Sequence, residues 1–394
     1  MPWREVRVQD ERLSFVIRAG QVKRGEFRQL CREYGITPPT GYKWLNRGRD
    51  CESLYTAMED HSRRPHRSPN QTPLAIEEQV IAWSKREGWG GKKVVVKLQE
   101  EGITLPVITA NRILKRYGLV NESVRQPKAV RRFERSAANE LVQMDFKGDY
   151  GILEGRCYPL TLVDDHSRYT LGAYALTDQR GQSVQRCLIE TFERCGVPES
   201  MLMDHGTPWW STTNFRGLTW LSVWMIKHGI QLTFSGVRHP QTQGKIEQFH
   251  RTLKASLKHH GQPNTLAEFV LALARFQTMY NFERPHEGIA MAYPASRYRP
   301  SDRAYQPKVK EWEYPEGALV KRLNSQGMIR CPDGKRRFVC EALANEWVQV
   351  EEFDQRWLIK YRHQYVREID IKTGRTLPPV RPVLISPTQE EQTK

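Results

Sequence analysis

No apolar run in this sequence approaches the roughly 20 residues that a bilayer-spanning helix requires, and the opening MPWREVRVQDER has no apolar signal core. The seven cysteines, at positions 31, 51, 157, 187, 195, 331 and 340, form no C-x-x-C pair and no Cys/His cluster at zinc-ligand spacing. These absences exclude a membrane span, a zinc finger and a disulfide framework. They point to reduced, structural thiols in a cytoplasmic protein.

Positive charge is what the chain has in excess: 61 Lys+Arg against 45 Asp+Glu, a formal +16. Residues 1–135 hold 27 of the cations against 16 acids, so the excess sits at the front. A polyanionic partner follows, because phosphate neutralisation is the main sequence-independent source of nucleic-acid affinity. A length of 394 residues calls for two to four domains.

Two helix-turn-helix patterns occupy the basic front. After a short helix at 13–19, Phe27, Leu30, Cys31 and Tyr34 share one helical face, Gly35-Ile36 turns, and a helix restarts over 40–46 with Tyr42, Trp44 and Leu45 packing. The second helix of such a unit enters the major groove, which makes Thr40, Lys43, Asn46 and Arg47 the candidates for base or phosphate contact. A Pro/Ser/Arg-rich linker (59–73) separates this 1–58 domain from a second one, 74–122. There PVITANRILKRYG supplies the candidate recognition helix, with Thr109, Asn111, Arg112, Lys115 and Arg116 exposed and Ile108, Ile113, Leu114 and Tyr117 packed. A plain helical packing unit remains the alternative for the first module. The basic linker 123–138, including Arg131 and Arg132, suits backbone phosphate better than base edges; a merely solvated linker fits it too.

From 139 to 300 the pattern changes to strand, strand, strand, helix, strand, helix, an α/β layout in which acids at strand ends converge on one sheet edge. LVQMDF carries Asp145 next to its end and SMLMD ends on Asp204. LVDDHSR adds Asp164 and Asp165, for which turn chemistry is the stronger explanation. HPQTQGKIEQFHRTLKASLK then opens a helix from Gly244, with Ile246, Phe249, Leu253 and Leu257 on its apolar face. Its other face carries Glu247 ahead of Arg251 and Lys254, suited to a metal ion beside a phosphate, although an ordinary solvated face with i,i+4 pairs fits equally. Lys245 begins the same helix and joins the phosphate candidates.

The strings MDF, LVDDHSR, MDHG, HPQTQGKIEQFHRTLK and YNFERPHEGI, in this order, closely resemble the DDE transposases and retroviral-type integrases. Within that group the chain is most similar to bacterial insertion-sequence transposases with two N-terminal helix-turn-helix modules. The resemblance implies a ribonuclease H-like core and a catalytic and metal-binding set of Asp145, Asp204 and Glu247 holding two Mg²⁺, with Mn²⁺ as substitute. It also implies Lys254 on the element's terminal DNA. Arg251 is a second phosphate candidate that instead pairs with Glu247 in the bland reading. Expected partners are double-stranded DNA, as terminal inverted repeats and as target, and further copies of the chain. An inactive DNA-binding regulator and a structure-specific nuclease remain the alternatives. Asp204 and Glu247 lie 43 apart, and the extra length over some relatives is assigned to the Trp-rich 208–220, as a DNA-facing flap or as packing. His205, His239 and His250 are expected in supporting roles, and Arg284-Pro285-His286 as a brace for the helix 266–281.

Alternation returns in 301–380, where about five short strands suggest a small SH3-like barrel. A polar tail, 381–394, reads as disordered.

Overall fold

The computed structural model describes residues 8–23, 25–49, 51–60, 71–120, 134–211, 217–234 and 244–377. The expectations for Arg131, Arg132, His239 and the C-terminal tail lie outside the described residues. Spatially the chain divides into two units, Met1–Thr72 and Pro73–Lys394.

In the first unit Val8–Ala19, Phe27–Glu33, Pro38–Arg49 and the single turn Leu54–Ala57 are helical. The first helix begins earlier than its apolar pattern because Asp10 and Glu11 favour its positive N-terminal end. Gly35 terminates the second helix at φ +62 while the Ile36 N–H returns to Cys31 O at 3.0 Å. The third helix presses Gly41 into the core, where a Cβ would lie 2.8 Å from Cys31 Sγ. With Gly41 and Trp44 turned inward, Tyr42 points outward and is exposed, contrary to expectation; it stacks on Phe27 at 4.4 Å.

The second unit is built on a six-stranded sheet. Tyr150–Ile152 and Thr170–Leu176 both pair with the long strand Gly155–Asp164, which pairs antiparallel with Val142–Phe146. Ser200–Met203 and Gln231–Phe234 continue the sheet in parallel. Strand alternation sends Val142, Met144, Leu160 and Leu162 to one face, against the helices Gly181–Cys195 and Trp220–Lys227. The opposite face, with Cys157 and Val163, lies under Gly244–His260 and Leu266–Thr278. This is the α/β layout expected. The last helix ends before 281 and continues as a π-helical turn, Met279–Glu283, in which Asn281 clasps the Thr170 backbone at 2.8 and 3.0 Å. Gln277, one turn earlier, donates to Thr170 O at 3.0 Å, so Asn281 and Gln277 brace the helix directly to the sheet.

The second helical module, Leu74–Glu87, Gly91–Glu100 and Val107–Arg116, is part of this body. Val80, Val94, Leu98 and Ile113 share one apolar cluster with Phe249, Leu253, Phe269 and Phe276. Lys92 and Lys93 pair with Glu287 at 3.2 Å, and Lys97 donates to the Tyr293 hydroxyl at 3.0 Å. Exposed ion pairs stabilise little, so the shared apolar surface is what holds the module on the core.

C-terminal strands form where alternation placed them. Val320–Arg322, Trp347–Phe353, Arg356–Tyr361, Gln364–Asp370 and Thr376–Leu377 make one antiparallel sheet, with a hairpin at Met328–Arg330 and Arg336–Phe338. This layer shares its apolar core with the six-stranded sheet, Trp357 and Ile359 clustering with Leu221 and Met225. Its Gln364 side chain accepts from the Leu232 N–H at 2.9 Å and donates to Leu232 O at 3.3 Å, occupying backbone groups on the sheet's outermost strand. Replacing Gln364 with Leu strands both buried groups. Chemical denaturation should read a loss of about 1–3 kcal/mol; an unchanged midpoint would show that water substitutes for the amide.

Candidate functional site

Asp145 and Asp204 leave neighbouring parallel strands. The register pairs Val142 with Met201 and Gln143 with Leu202, so two residues further on Asp145 comes level with Asp204. Since Val142 and Met144 face the 181–195 helix, Gln143 and Asp145 face the other way, toward the helix that carries Glu247. Burial pushes the Asp145 carboxyl up to about 7, with the charge of Asp204 as the next cause and Glu247 adding to it; the Phe146 N–H and Lys147 pull the other way. Asp145 therefore senses both of the other acids.

The Gly244–His260 helix is pinned at its start. Its Ile246 N–H donates to Gln143 Oε1 at 3.3 Å, and Gln143 Nε2 donates to Asp165 Oδ1 at 2.9 Å. Asp165 Oδ2 pairs with Lys245 Nζ at 2.5 Å. Burial pushes that ammonium down to about 8 against the pull of Asp165. Lys245 thus braces the helix and is corrected from a DNA contact. Asp165 is likewise a brace, and Asp164 is a turn residue, accepting from Asn139 N, Ser167 N and Ser167 Oγ at 2.6–2.7 Å.

One turn beyond Glu247, His250 Nε2 lies 2.8 Å from Thr161 Oγ1, and its Nδ1 is 3.8 Å from Asp145 Oδ2. Burial drives the imidazole down to about 3, which keeps it neutral. Thr161 in turn donates to Asp145 O at 3.0 Å. Gln143 and Thr161 were missed in the sequence, although Gln143 stands out as a polar residue two before Asp145 on an otherwise apolar strand.

Asp204 is held by donors on its own loop. Its Oδ1 accepts from Gly206 N at 2.8 Å and from Trp209 Nε1 at 2.9 Å. Trp209 is buried and stacks on Phe146 at 5.6 Å, 12° between planes. That part of 208–220 is packing, and beyond it Trp210–Ser211 and Gly217–Leu218 form a small ribbon. His205 packs edge-on against Trp210 at 4.9 Å.

Glu247 and Lys254 are both exposed and share a helix face. Arg251 donates to Gln248, one turn back on its own helix. In the first helical module Lys43 and Asn46 are exposed; Thr40 is half-buried against Thr37, and Arg47 donates to Glu59 O at 3.2 Å. In the second, Asn111, Arg112 and Lys115 are exposed and Thr109 is half-buried. Arg116 is exposed too, and it also grips both oxygens of the buried Glu77 at 3.2 Å and so braces the module. Ile108 and Tyr117 are 66% and 47% exposed, because Ala110, Ile113 and Leu114 form the buried stripe.

The donor set is all carboxylate oxygen, which suits a hard divalent cation. A cation would also reverse the repulsion that raises Asp145. Among the described residues no three His, Cys, Asp or Glu side chains are gathered at metal-holding distance; residues 235–243, which lead into the Glu247 helix, lie outside the described set.

Comparison with known proteins adds three family matches. Two families, each described as an integrase core domain, match residues 135–240 and 228–294, and the leucine-zipper of insertion element IS481 matches residues 8–87. Over that last range the described helices are of 4 to 14 residues, with no single long zipper helix among them. Among solved structures, the HTLV-2 integrase catalytic core domain in complex with magnesium is similar at 12% identity, TM-score 0.33, over 42% of this chain and 99% of that one. A chain of the simian T-cell lymphotropic virus intasome in complex with PP2A regulatory subunit B56 gamma is similar at 12% identity, TM-score 0.38, over 77% of this chain and 100% of that one. At that level these structural likenesses add nothing on function.

In metal-free buffer the raised Asp145 carboxyl has a signed consequence. The folded state keeps a proton up to about 7 that the unfolded chain releases near pH 4. The group therefore destabilises the fold progressively as pH rises through that window. Urea midpoints measured in EDTA should fall less across it for Asp145→Asn than for the unaltered protein; identical slopes would refute the shift.

Proposed function

We propose that the chain is an insertion-sequence transposase that binds the terminal inverted repeats of its element, cleaves the DNA ends and joins them to target DNA. Its matches to two integrase core families and to the leucine-zipper of insertion element IS481 support this. It acts as a homo-oligomer on DNA. Asp145, Asp204 and Glu247 are the catalytic carboxylates and would hold two Mg²⁺, with Mn²⁺ able to replace them. When bound, such ions supply Lewis acidity to both the attacking and the leaving oxygen of an in-line displacement at phosphorus.

The rest is the work of this chain's own groups. Asp145 and Asp204, side by side at the sheet edge, fix where the reacting phosphate must lie. Gln143, Asp165, Lys245 and His250 hold the Glu247 helix against that edge. Lys254, exposed on the face of Glu247, takes a phosphate of the terminal DNA. Lys43 and Asn46 in the first module, and Asn111, Arg112 and Lys115 in the second, read or grip the repeat. In the first step water attacks the phosphodiester at the element end, breaking the P–O bond to the departing 3′ oxygen and leaving a free 3′-OH. In the second, that 3′-OH attacks a target phosphodiester and displaces its 3′ oxygen, so one ester is exchanged for another and no external energy source is needed.

What supports this reading most is the register that sets Asp145 beside Asp204, together with the shared influence of Asp204 and Glu247 on Asp145. Labelled element ends and a plasmid target in Mg²⁺ test it. Asp145→Asn, Asp204→Asn and Glu247→Gln should each keep end binding and lose strand transfer by at least about 10³-fold, the scale of losing a principal electrostatic group. Joining at unaltered rates by any of them would refute the triad. Footprinting without metal-dependent cleavage would make the protein a regulator, and cutting without joining a nuclease.

A further inference from the structure

Trp209 supplies something that carboxylate placement alone does not: a fixed donor aimed at one oxygen of Asp204. Its ring is 1% exposed, lies parallel to Phe146, the residue after Asp145, and so spans the ends of the two acid-bearing strands. Its indole N–H sits 2.9 Å from Asp204 Oδ1 and 3.1 Å from Asp204 O. The Gly206 N–H reaches the same Oδ1 at 2.8 Å. The Trp209 carbonyl accepts from Ser222 Oγ in the first turn of the Trp220–Lys227 helix, which anchors the indole's own backbone.

An indole N–H can only donate, and a doubly bonded Oδ1 resists rotation of the carboxylate. Among the described residues no donor reaches Oδ2. Only glycine fits at position 206, since a Cβ there would lie 2.8 and 3.0 Å from the two carboxylate oxygens, and its absence is what lets the Gly206 N–H approach Oδ1. We propose that Trp209 is a positioning residue that holds Asp204 to ligate a cation through Oδ2 alone. The inference rests on the reading of Asp204 as a metal ligand. Its chemical consequence is selectivity. Small octahedral Mg²⁺ and Mn²⁺ accept one oxygen from a carboxylate, whereas Ca²⁺ favours more ligands and often both oxygens. A carboxylate with one oxygen already engaged disfavours the larger ion.

The test is to replace Trp209 with 3-benzothienylalanine, which keeps the bicyclic shape and puts sulfur where the N–H was, beside Trp209→Phe as a genetically simpler variant. Mn²⁺ binding to the full chain is followed by loss of the free-ion paramagnetic resonance signal, and Ca²⁺ by competition. Loss of an outer partner of a metal ligand costs about 10- to 100-fold in affinity. Both variants should therefore need about 10-fold more Mn²⁺ for half-saturation and should narrow the preference for Mn²⁺ over Ca²⁺. Melting in EDTA should stay that of the unaltered protein for the benzothienyl variant. Unchanged Mn²⁺ binding and unchanged ion preference in that variant would overturn the proposal. Asp204→Asn separates the two readings: if it binds Mn²⁺ as the unaltered protein does, the ligand assignment falls and this inference with it; if it does not, the outcome at Trp209 stands on its own.

Discussion

Two carboxylates brought together at the edge of a sheet, in surroundings that exclude much of their water, are the constraint on which the rest of this structure depends. Left alone they repel, and the upward displacement of Asp145 is the mark first of burial and then of that repulsion. The structure manages the conflict by fixing what surrounds the pair. Asp204 is held by Gly206 and Trp209, and the Asp145 strand by Thr161 and His250. Around them the network from Gln143 through Asp165 to Lys245 seats the third acid's helix. Gln143, Thr161, Trp209 and the neutral His250 carry no charge and Lys245 is paired with Asp165. These groups therefore orient the two carboxylates without neutralising them, the part that the proposed divalent cation would take.

The same body carries one of its candidate DNA modules. The helices between 74 and 116 share an apolar core with the Glu247 helix and its neighbour, so Asn111, Arg112 and Lys115 are displayed in a fixed frame relative to the acids. Residues 1–72 form their own unit, with Lys43 and Asn46 displayed there. One candidate DNA module is thus built into the body that carries the acids and the other belongs to a separate unit. Under the proposed function, a built-in module makes the distance from recognised sequence to cut a property of the fold.

Much of this was legible in the sequence because period and punctuation are local. The apolar stripe of the 244–260 helix, the glycine turn at 35, the strand ends at 145 and 204 and the C-terminal alternation all follow from spacing alone. What was not legible depends on which face a helix turns inward. Ile108, Tyr117 and Tyr42 are apolar and were assigned to cores, yet the buried stripes run through Ala110 and Gly41, small residues that let backbones approach. Lys245 and Arg116 read as DNA contacts because they are basic and sit on helices; their partners, Asp165 and Glu77, are 80 and 39 residues away in sequence. Trp209 hid among several tryptophans, and only the fold shows its N–H turned on Asp204.

The most direct test of the account is a crystal structure of the full chain grown with Mn²⁺, with anomalous scattering recorded at the manganese edge. The account requires an anomalous peak bounded by the carboxylates of Asp145, Asp204 and Glu247. Manganese bound elsewhere while those three side chains stay unligated would contradict it.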